Sequence, residues 1–340
     1  MSTPIRLAID AMGGDHGPAV CVPAALSVLA QTEALQLQLV GREEIIVPYL
    51  ERLLPVDLDR ISIVPASEVI SMDESPRDAL RRKKDSSMRV AINLVAEHKA
   101  DACVSAGNTG ALMATGHFVL GAIAGIDRPA IISAMPTFVG QSWMLDLGAN
   151  HQASAQQLLQ FAVMGHCVAQ AAGIKSPKVG ILNIGHEDIK GTPLVKAAHE
   201  LLSVSQLNYI GYVEGDQILS GDVDVVVTDG FTGNVSLKSM EGLAKMIMGV
   251  LKEEFTRHPL RQMAALTAMA PLNAVRDRLD PRRYNGAVFV GLAGVVVKSH
   301  GSADAVAFGF AIREALSQVT AQVPKHIAQG LTRLALQAAS

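Results

Sequence analysis

Short apolar runs alternate with stretches whose apolar residues recur at helical spacing along most of this chain. Ile5 to Asp10 reads as a strand and Ala19 to Ala30 as the helix after it. Leu37 to Val40 is a second strand, followed by a helical pattern over Glu43 to Leu54. Further strands are predicted at Ile61 to Val64, Ala102 to Ser105, Ile131 to Ala134, Trp143 to Leu147, Val179 to Asn183, Tyr209 to Val213 and Val223 to Thr228. Helices are predicted over Val90 to His98 and Ala153 to Ala172. The alternation implies a three-layer α/β/α fold, with helices on both faces of a mostly parallel sheet.

One region breaks the rhythm. Val235 to Phe255 reads as a long helix with Met240, Leu243, Met246, Ile247, Val250 and Leu251 on one face. A Met/Ala/Leu-rich segment follows over Leu260 to Val275, interrupted by Pro271, before strand-like Ala287 to Val297. This is a helical protrusion from the sheet over about residues 240–285. The tail, Asp304 to Leu336, reads as two helices separated at Pro324. With no linker, repeat or compositional break, residues 1–340 are expected to form a single α/β domain.

Composition narrows the classes. Of 340 residues, 49% are hydrophobic and only 4% aromatic, which suits buried parallel strands under close-packed helices. The net charge of -3 lacks the basic excess of a nucleic-acid binder. Two local basic clusters remain, Arg77 to Lys84 and Arg276 to Arg283. Cys21, Cys103 and Cys167 have neither disulfide nor metal spacing and read as small buried residues in a reducing compartment. No signal-peptide pattern opens the chain, and Ala111 to Ile126 falls short of the ~20 residues a membrane span needs. The expected location is the cytoplasm.

In open parallel sheets, ligands sit beyond the carboxyl ends of the strands. The first strand ends in Asp10-Ala-Met-Gly13-Gly14-Asp15, where paired glycines let the backbone approach an anion ahead of a helix. Ser105-Ala-Gly107-Asn108-Thr109-Gly-Ala offers hydroxyl, amide and backbone donors, although Asn108 or Thr109 also suits an N-cap. Asp146-Leu-Gly-Ala-Asn150, Asn183-Ile-Gly-His-Glu187-Asp-Ile-Lys190-Gly and Thr228-Asp229-Gly-Phe-Thr232-Gly-Asn234 repeat the theme. Together these five loops predict one polar, donor-rich crevice. Cations available to it are Lys83 and Lys84, which precede Ser86 and Ser87, then Lys190 and Lys238. The Arg81 to Lys84 run equally suits a solvated helix face. His300 faces the crevice or serves structure, while Ser302 or Asp304 caps the tail helix. No GxSxG elbow, HExxH or Cys/His cluster is present, so neither a covalent nucleophile nor a metal is indicated.

Taken in order, Asp10-Ala-Met-Gly-Gly-Asp, Arg82-Lys-Lys-Asp-Ser-Ser87, Ser105 to Leu112, Asp146 to Asn150, Asp229 to Asn234 and His300-Gly-Ser resemble the bacterial phosphate acyltransferase family. The resemblance implies a fold like that of isopropylmalate dehydrogenase and phosphotransacetylase. It also implies acyl transfer from acyl-[acyl-carrier protein] to inorganic phosphate, giving acyl phosphate for phospholipid synthesis. No cofactor is implied. The implied partners are a second copy of the chain, a peripheral membrane surface on the inner face and a downstream glycerol-3-phosphate acyltransferase. The family pattern carries two glutamates where this chain has His186-Glu187, so only Glu187 is carried over. A proline after the alanine of Gly286-Ala-Val-Phe is also lacking.

Phosphate is itself the nucleophile in that reaction, so the protein must hold it against the thioester and stabilise the oxyanion. The thiolate leaving group has a pKa near ~8.5 and needs little acid assistance. On this reading Asp10, Lys84, Asn108, Asp229, Asn234 and His300 act or orient at the reacting centre. Phosphate lies on Gly13, Gly14, Ser105, Asn108 and Thr109 with Lys83 or Lys84. Asp15, Ser86, Ser87, Gly107, Asp146, Asn150, Glu187, Lys190, Thr232 and Lys238 complete the substrate surface. An acidic carrier protein would dock on either basic cluster. Leu260 to Val275 would meet a bilayer surface or a second subunit. The rivals are a coenzyme A-dependent phosphotransacylase, a metal-dependent hydroxyacid dehydrogenase of related fold, and a non-enzymatic phosphate sensor or scaffold.

Overall fold

The computed structural model describes residues 4–52 and 58–338. Its first half contains β1 (Ile5–Asp10), α1 (Pro18–Leu29), β2 (Leu35–Gly41), α2 (Glu43–Arg52), β3 (Ile61–Pro65), α3 (Pro76–Arg82), α4 (Ser87–Ala96), β4 (Ala102–Ser105) and α5 (Thr109–Leu120). Then come β5 (Ala130–Pro136), β6 (Gln141–Leu145), α6 (Ala155–Ala171), β7 (Lys178–Leu182), α7 (Pro193–Ser203), β8 (Asn208–Val213) and β9 (Val225–Val227). After the helices α8 (Gly230–Thr256), α9 (Pro259–Thr267) and α10 (Met269–Leu279), the chain rejoins the sheet as β10 (Ala287–Val290) and β11 (Val295–Lys298) and ends in α11 (Ala305–Thr320) and α12 (Val323–Ala338). Leu54, the end expected for the second helix, lies outside the described residues.

The eleven strands of the described residues form one sheet in the order β3-β2-β1-β4-β11-β10-β5-β6-β9-β7-β8. Seven of its pairings are parallel and three antiparallel, so the sheet is mostly parallel as the alternation implied. Strand residues alternate between two cores. Leu7 and Ile9 face a layer with Val22, Phe161, Ala198 and Phe308, whereas Ala8 faces one with Met88, Ile92 and Leu112. Helices therefore cover both faces, giving three layers.

The strand-like stretch over Ala287 to Val297 is a hairpin. Gly291 takes φ +89, a left-handed conformation open to glycine, and the chain turns there. The turn matters because it supplies one of three successive antiparallel pairings, β11/β10, β10/β5 and β5/β6. An odd number of reversals leaves β6, β7, β8 and β9 running opposite to β1, β4 and β11. The expectation of five loops on one carboxyl edge is corrected accordingly. The loops after β1 and β4 lie at one edge of the sheet, and those after β6, β7 and β9 lie at the other.

Between β9 and β10, α8 leaves the sheet with Leu237 and Met240 against the core, and Leu243, Met246, Ile247 and Val250 exposed. No residue of α9 or α10 is buried, and Leu260, Met263 and Leu266 are each more than 60% exposed. Pro271 sits in the first turn of α10, so it does not interrupt a helix; the break falls at Ala268. No helix of the described residues is long and apolar enough to cross a membrane.

Close contact between α6 and the sheet rests on Gly165. A Cβ there would lie 2.5 Å from a Val225 methyl and 3.0 Å from a Leu145 methyl. Gly165→Ala is expected to cost about 1–3 kcal/mol by overpacking. Thermal unfolding followed by circular dichroism checks this; an unchanged melting temperature would mean the helix shifts without penalty.

Candidate active site

Three adjacent strands end in step at one edge. Ile9 pairs with Val104, and Lys298 pairs with Ser105, so Asp10, Ser105 and Lys298 stand side by side. Each is buried, Lys298 to 8% exposure. The Ser105 hydroxyl donates to Asp10 Oδ2 at 2.5 Å, and Gly107 N–H donates to Ser105 Oγ at 3.0 Å. Burial pushes the Asp10 carboxyl pKa up, against the pull of the Ser105 and Ser87 hydroxyls and the backbone at Met12 and Gly13. Lys298 Nζ donates to the Ala106 carbonyl at 3.3 Å and to the Ser299 carbonyl. Burial lowers its pKa to about 8, with Lys238 pulling the same way and Asp10 and Asp15 opposing.

Glycine lets the loops close over these groups. Gly14 has φ +84, and a Cβ there would lie 2.8 Å from Ala106 Cβ and 2.9 Å from the Gly301 carbonyl. Asp15 N–H in turn donates to Gly301 O at 2.9 Å, joining the first loop to the one after β11. A Cβ on Gly13 would meet Asp10 and the Gly107 nitrogen. His300 lies in that last loop, its Nδ1 2.9 Å from Ser302 Oγ. Partial burial, then Lys238 and Lys298, push its pKa down.

Several expected residues are engaged in structure. Asn108 caps α5, accepting from Ala111 N–H at 2.9 Å, and its amide donates to the Met72 and Glu74 carbonyls. Ser86 caps α4. Lys83 stands 4.0 Å from Glu68, while Lys84 is exposed. Thr109 is exposed in the first turn of α5. Asp304, rather than Ser302, caps α11 through Ala307 N–H at 2.8 Å.

The second group, at the opposite edge, is built around Asp146. Its fully buried carboxylate accepts from the backbone of Ile131, Gly148, Ala149 and Asn150 at 2.7–3.2 Å and from the Asn150 amide at 3.0 Å. Asn150 also donates to Pro129 O and accepts the Gly230 N–H. Gly233 permits this seat for α8, since a Cβ there would fall 1.9 Å from Asp146 O. Asp229 caps α8 by accepting from Thr232 N–H and Oγ1. Asn234 is exposed beside Gly148, its amide unbonded among the described residues. Lys190 pairs with Glu187 at 2.9 Å and Lys238 with Glu241 at 2.9 Å, both exposed. Helix α8 connects the two edges: Lys238 lies ~13 Å along it from Asp229, and its charge acts on Lys298 and His300.

Two cavities, of about 200 Å³ beside Trp143 and Glu314 and about 330 Å³ beside His166 and Cys167, lie against the other face of the sheet, away from α8. All three cysteines are buried, with thiol pKa values raised by burial. Among the described residues no cluster of His, Cys, Asp or Glu could hold a metal ion. Lys298 was not singled out from sequence as a site residue. The available signal was a cation closing a run of three valines directly before Ser-His-Gly.

Glycine-rich loops, hydroxyls and a buried lysine gathered at strand ends of an α/β/α sheet are the arrangement of an enzyme suited to handling an anion. Residues 5–326 match the family model described as fatty acid synthesis protein. The phosphate acyltransferase of Alkalilimnicola ehrlichii is 54% identical over 335 residues, covering 98% of each chain. That of Methylococcus capsulatus is 54% identical over 327 residues, covering 96% of each. The chain belongs to the phosphate acyltransferase family and is an acyltransferase. In fold it is similar to a phosphotransacetylase from Streptococcus pyogenes (TM-score 0.64, 18% identity, 93% of this chain and 94% of that one) and to EutD phosphotransacetylase from Staphylococcus aureus (TM-score 0.58, 18% identity, 96% and 94%).

Asp146→Asn turns an NH2 donor toward N–H groups that need an acceptor. The loss is expected to be about 1–3 kcal/mol of stability, seen as a lower midpoint in urea unfolding. An unchanged midpoint would show that the carboxylate does not hold the loop.

Proposed function

We propose that the chain transfers a long-chain acyl group from acyl-[acyl-carrier protein] to inorganic phosphate, giving acyl phosphate for phospholipid synthesis. The observation that carries the reading is the closure of three loops, after β1, β4 and β11, around the buried ends of their strands. A phosphate oxygen attacks the thioester carbonyl carbon, the C–O bond forms, and the C–S bond breaks with its electron pair leaving on sulfur. No enzyme nucleophile is required; positioning and oxyanion stabilisation supply the rate. Gly13, Gly14, Ser105, Gly107 and Thr109 receive phosphate, with Asp10 and Ser87 ordering that loop set and Asn108 acting through its cap. Lys84, Asn234, Lys190 and His300 face the acyl donor. Asp146, Asn150, Asp229 and Thr232 hold the start of α8 in place.

A carrier protein rather than coenzyme A is favoured by the exposed basic residues Arg81, Arg82 and Lys84, and by Arg276 and Arg283, suited to an acidic partner. The chain works as one cytoplasmic domain with α8–α10 as its protrusion. The exposed stripe of α8 meets a second copy, and the apolar face of α9 rests on the inner membrane surface, where a glycerol-3-phosphate acyltransferase receives the product.

Palmitoyl-[acyl-carrier protein] and phosphate, incubated with the protein and trapped with hydroxylamine, should give phosphate-dependent hydroxamate. Product only with palmitoyl-coenzyme A would move the chain to the phosphotransacylases; no product with either donor would leave a sensor or scaffold. Leu266→Glu with Met269→Glu should abolish co-sedimentation with anionic vesicles while acyl phosphate formation persists. Sedimentation that survives would sink the membrane contact.

A further inference from the structure

Asp10 and Lys298 present complementary hydrogen-bonding capacity at the same strand ends. Asp10 Oδ1 is buried and makes no hydrogen bond of ordinary geometry among the described residues, the Ser87 hydroxyl and the Met12 and Gly13 N–H groups lying near enough to lower the carboxyl pKa without satisfying that oxygen. Its other oxygen is taken by Ser105. Lys298 has three N–H bonds, and two are spent on the Ala106 and Ser299 carbonyls. The third has no acceptor among the described residues. A buried polar group without a partner is costly, so its retention points to a ligand or solvent that completes it.

We infer that Asp10 and Lys298 together bind monohydrogen phosphate and select it over sulfate. The P–OH group donates to Asp10 Oδ1, and a P–O⁻ oxygen accepts from Lys298. Sulfate has the same shape but no proton near neutral pH, so it would set an oxygen against the carboxylate. A site built around a hydroxyl rejects an analogue that lacks it, because a buried polar group is left unpaired. The N–H groups at the start of α5 lie beside the same loops and add further donors. The charged groups acting on Lys298 are Asp10 on β1, Asp15 in the next loop and Lys238 on α8. Lys298 therefore stays cationic below about pH 8 and loses its proton above it.

The inference rests on the acyl transfer proposed above, and that reading is tested first by product formation in the unaltered protein. Given product, the KM for phosphate and the inhibition constant for sulfate are measured against pH. The unaltered protein should lose phosphate affinity as pH rises through about 8. Lys298→Arg, charged throughout, should flatten that rise at a folded melting temperature. Lys298→Met should raise KM for phosphate roughly 10–100-fold, as expected for a lost charge-assisted hydrogen bond, with a smaller change in kcat. Asp10→Asn should weaken phosphate and strengthen sulfate inhibition, collapsing their ratio. A lysine serving only to tie the Ala106 and Ser299 carbonyls would leave the pH rise intact in Lys298→Arg, and an unaltered phosphate-to-sulfate ratio in folded Asp10→Asn would overturn Asp10's part. Should Asp10→Asn fail to fold, the Lys298→Arg profile decides.

Discussion

A carboxylate taken out of water must find donors or lose its charge, and Asp10, at the end of β1, has one oxygen held by the Ser105 hydroxyl and the other without a partner among the described residues. Its partner Ser105 arrives only because β4 pairs with β1 in a register that sets Val104 against Ile9. The same register, carried into β11, sets Lys298 beside Ser105. Glycine follows as a consequence. The loops above the strand ends have room for backbone but not for Cβ atoms: one on Gly13 would meet the Asp10 carboxylate, and one on Gly14 would meet Ala106 Cβ and the Gly301 carbonyl. The chemistry of the site and the packing of its loops thus share one cause.

The reversal at β10 and β5 decides what the remaining polar loops do. Asp146 and Asn150 end a strand that runs the other way, and their hydrogen bonds are turned inward to Ile131, Pro129 and Gly230. Four backbone donors on one carboxylate leave it little capacity for a ligand. What it secures is the start of α8. The helix then carries Lys238 out from a fixed base to where its charge acts on His300 and Lys298.

Much of this was legible in the chain. The apolar runs found all nine strands from β1 to β9, because each strand's apolar pattern is written in its own residues. The glycine-rich turns were also visible, as was Asn108, whose alternative as a cap is what its side chain does. Strand direction was not visible. It depends on which strands become neighbours, and β11 inserts between β4 and β10 from far along the sequence. Lys298 was hidden for the same reason, since its contact with Ala106 joins residues 192 apart. Helices α3, α5 and α7 escaped a reading based on apolar periodicity, yet Ser75, Asn108 and Thr192 cap them in the ordinary way.

An enzyme whose nucleophile is a substrate faces a particular constraint. Lacking a covalent intermediate to hold the reaction in place, it gains rate mainly by reducing the freedom of two substrates at once. On the proposed reading, the two edges of this sheet would divide that task. The edge at Asp10, Ser105 and Lys298 is compact, buried and closed by glycine, suited to a small anion. The edge at Asp146 is spent on anchoring α8, whose exposed length and apolar continuation into α9 suit something larger. Charged residues of α8 act on the anion edge from a helix seated at the far edge, Lys238 on Lys298 and Lys238, Glu241 and Lys245 on His300. A shift of α8 caused by whatever docks along it would therefore change the electrostatic environment of the anion edge without touching it.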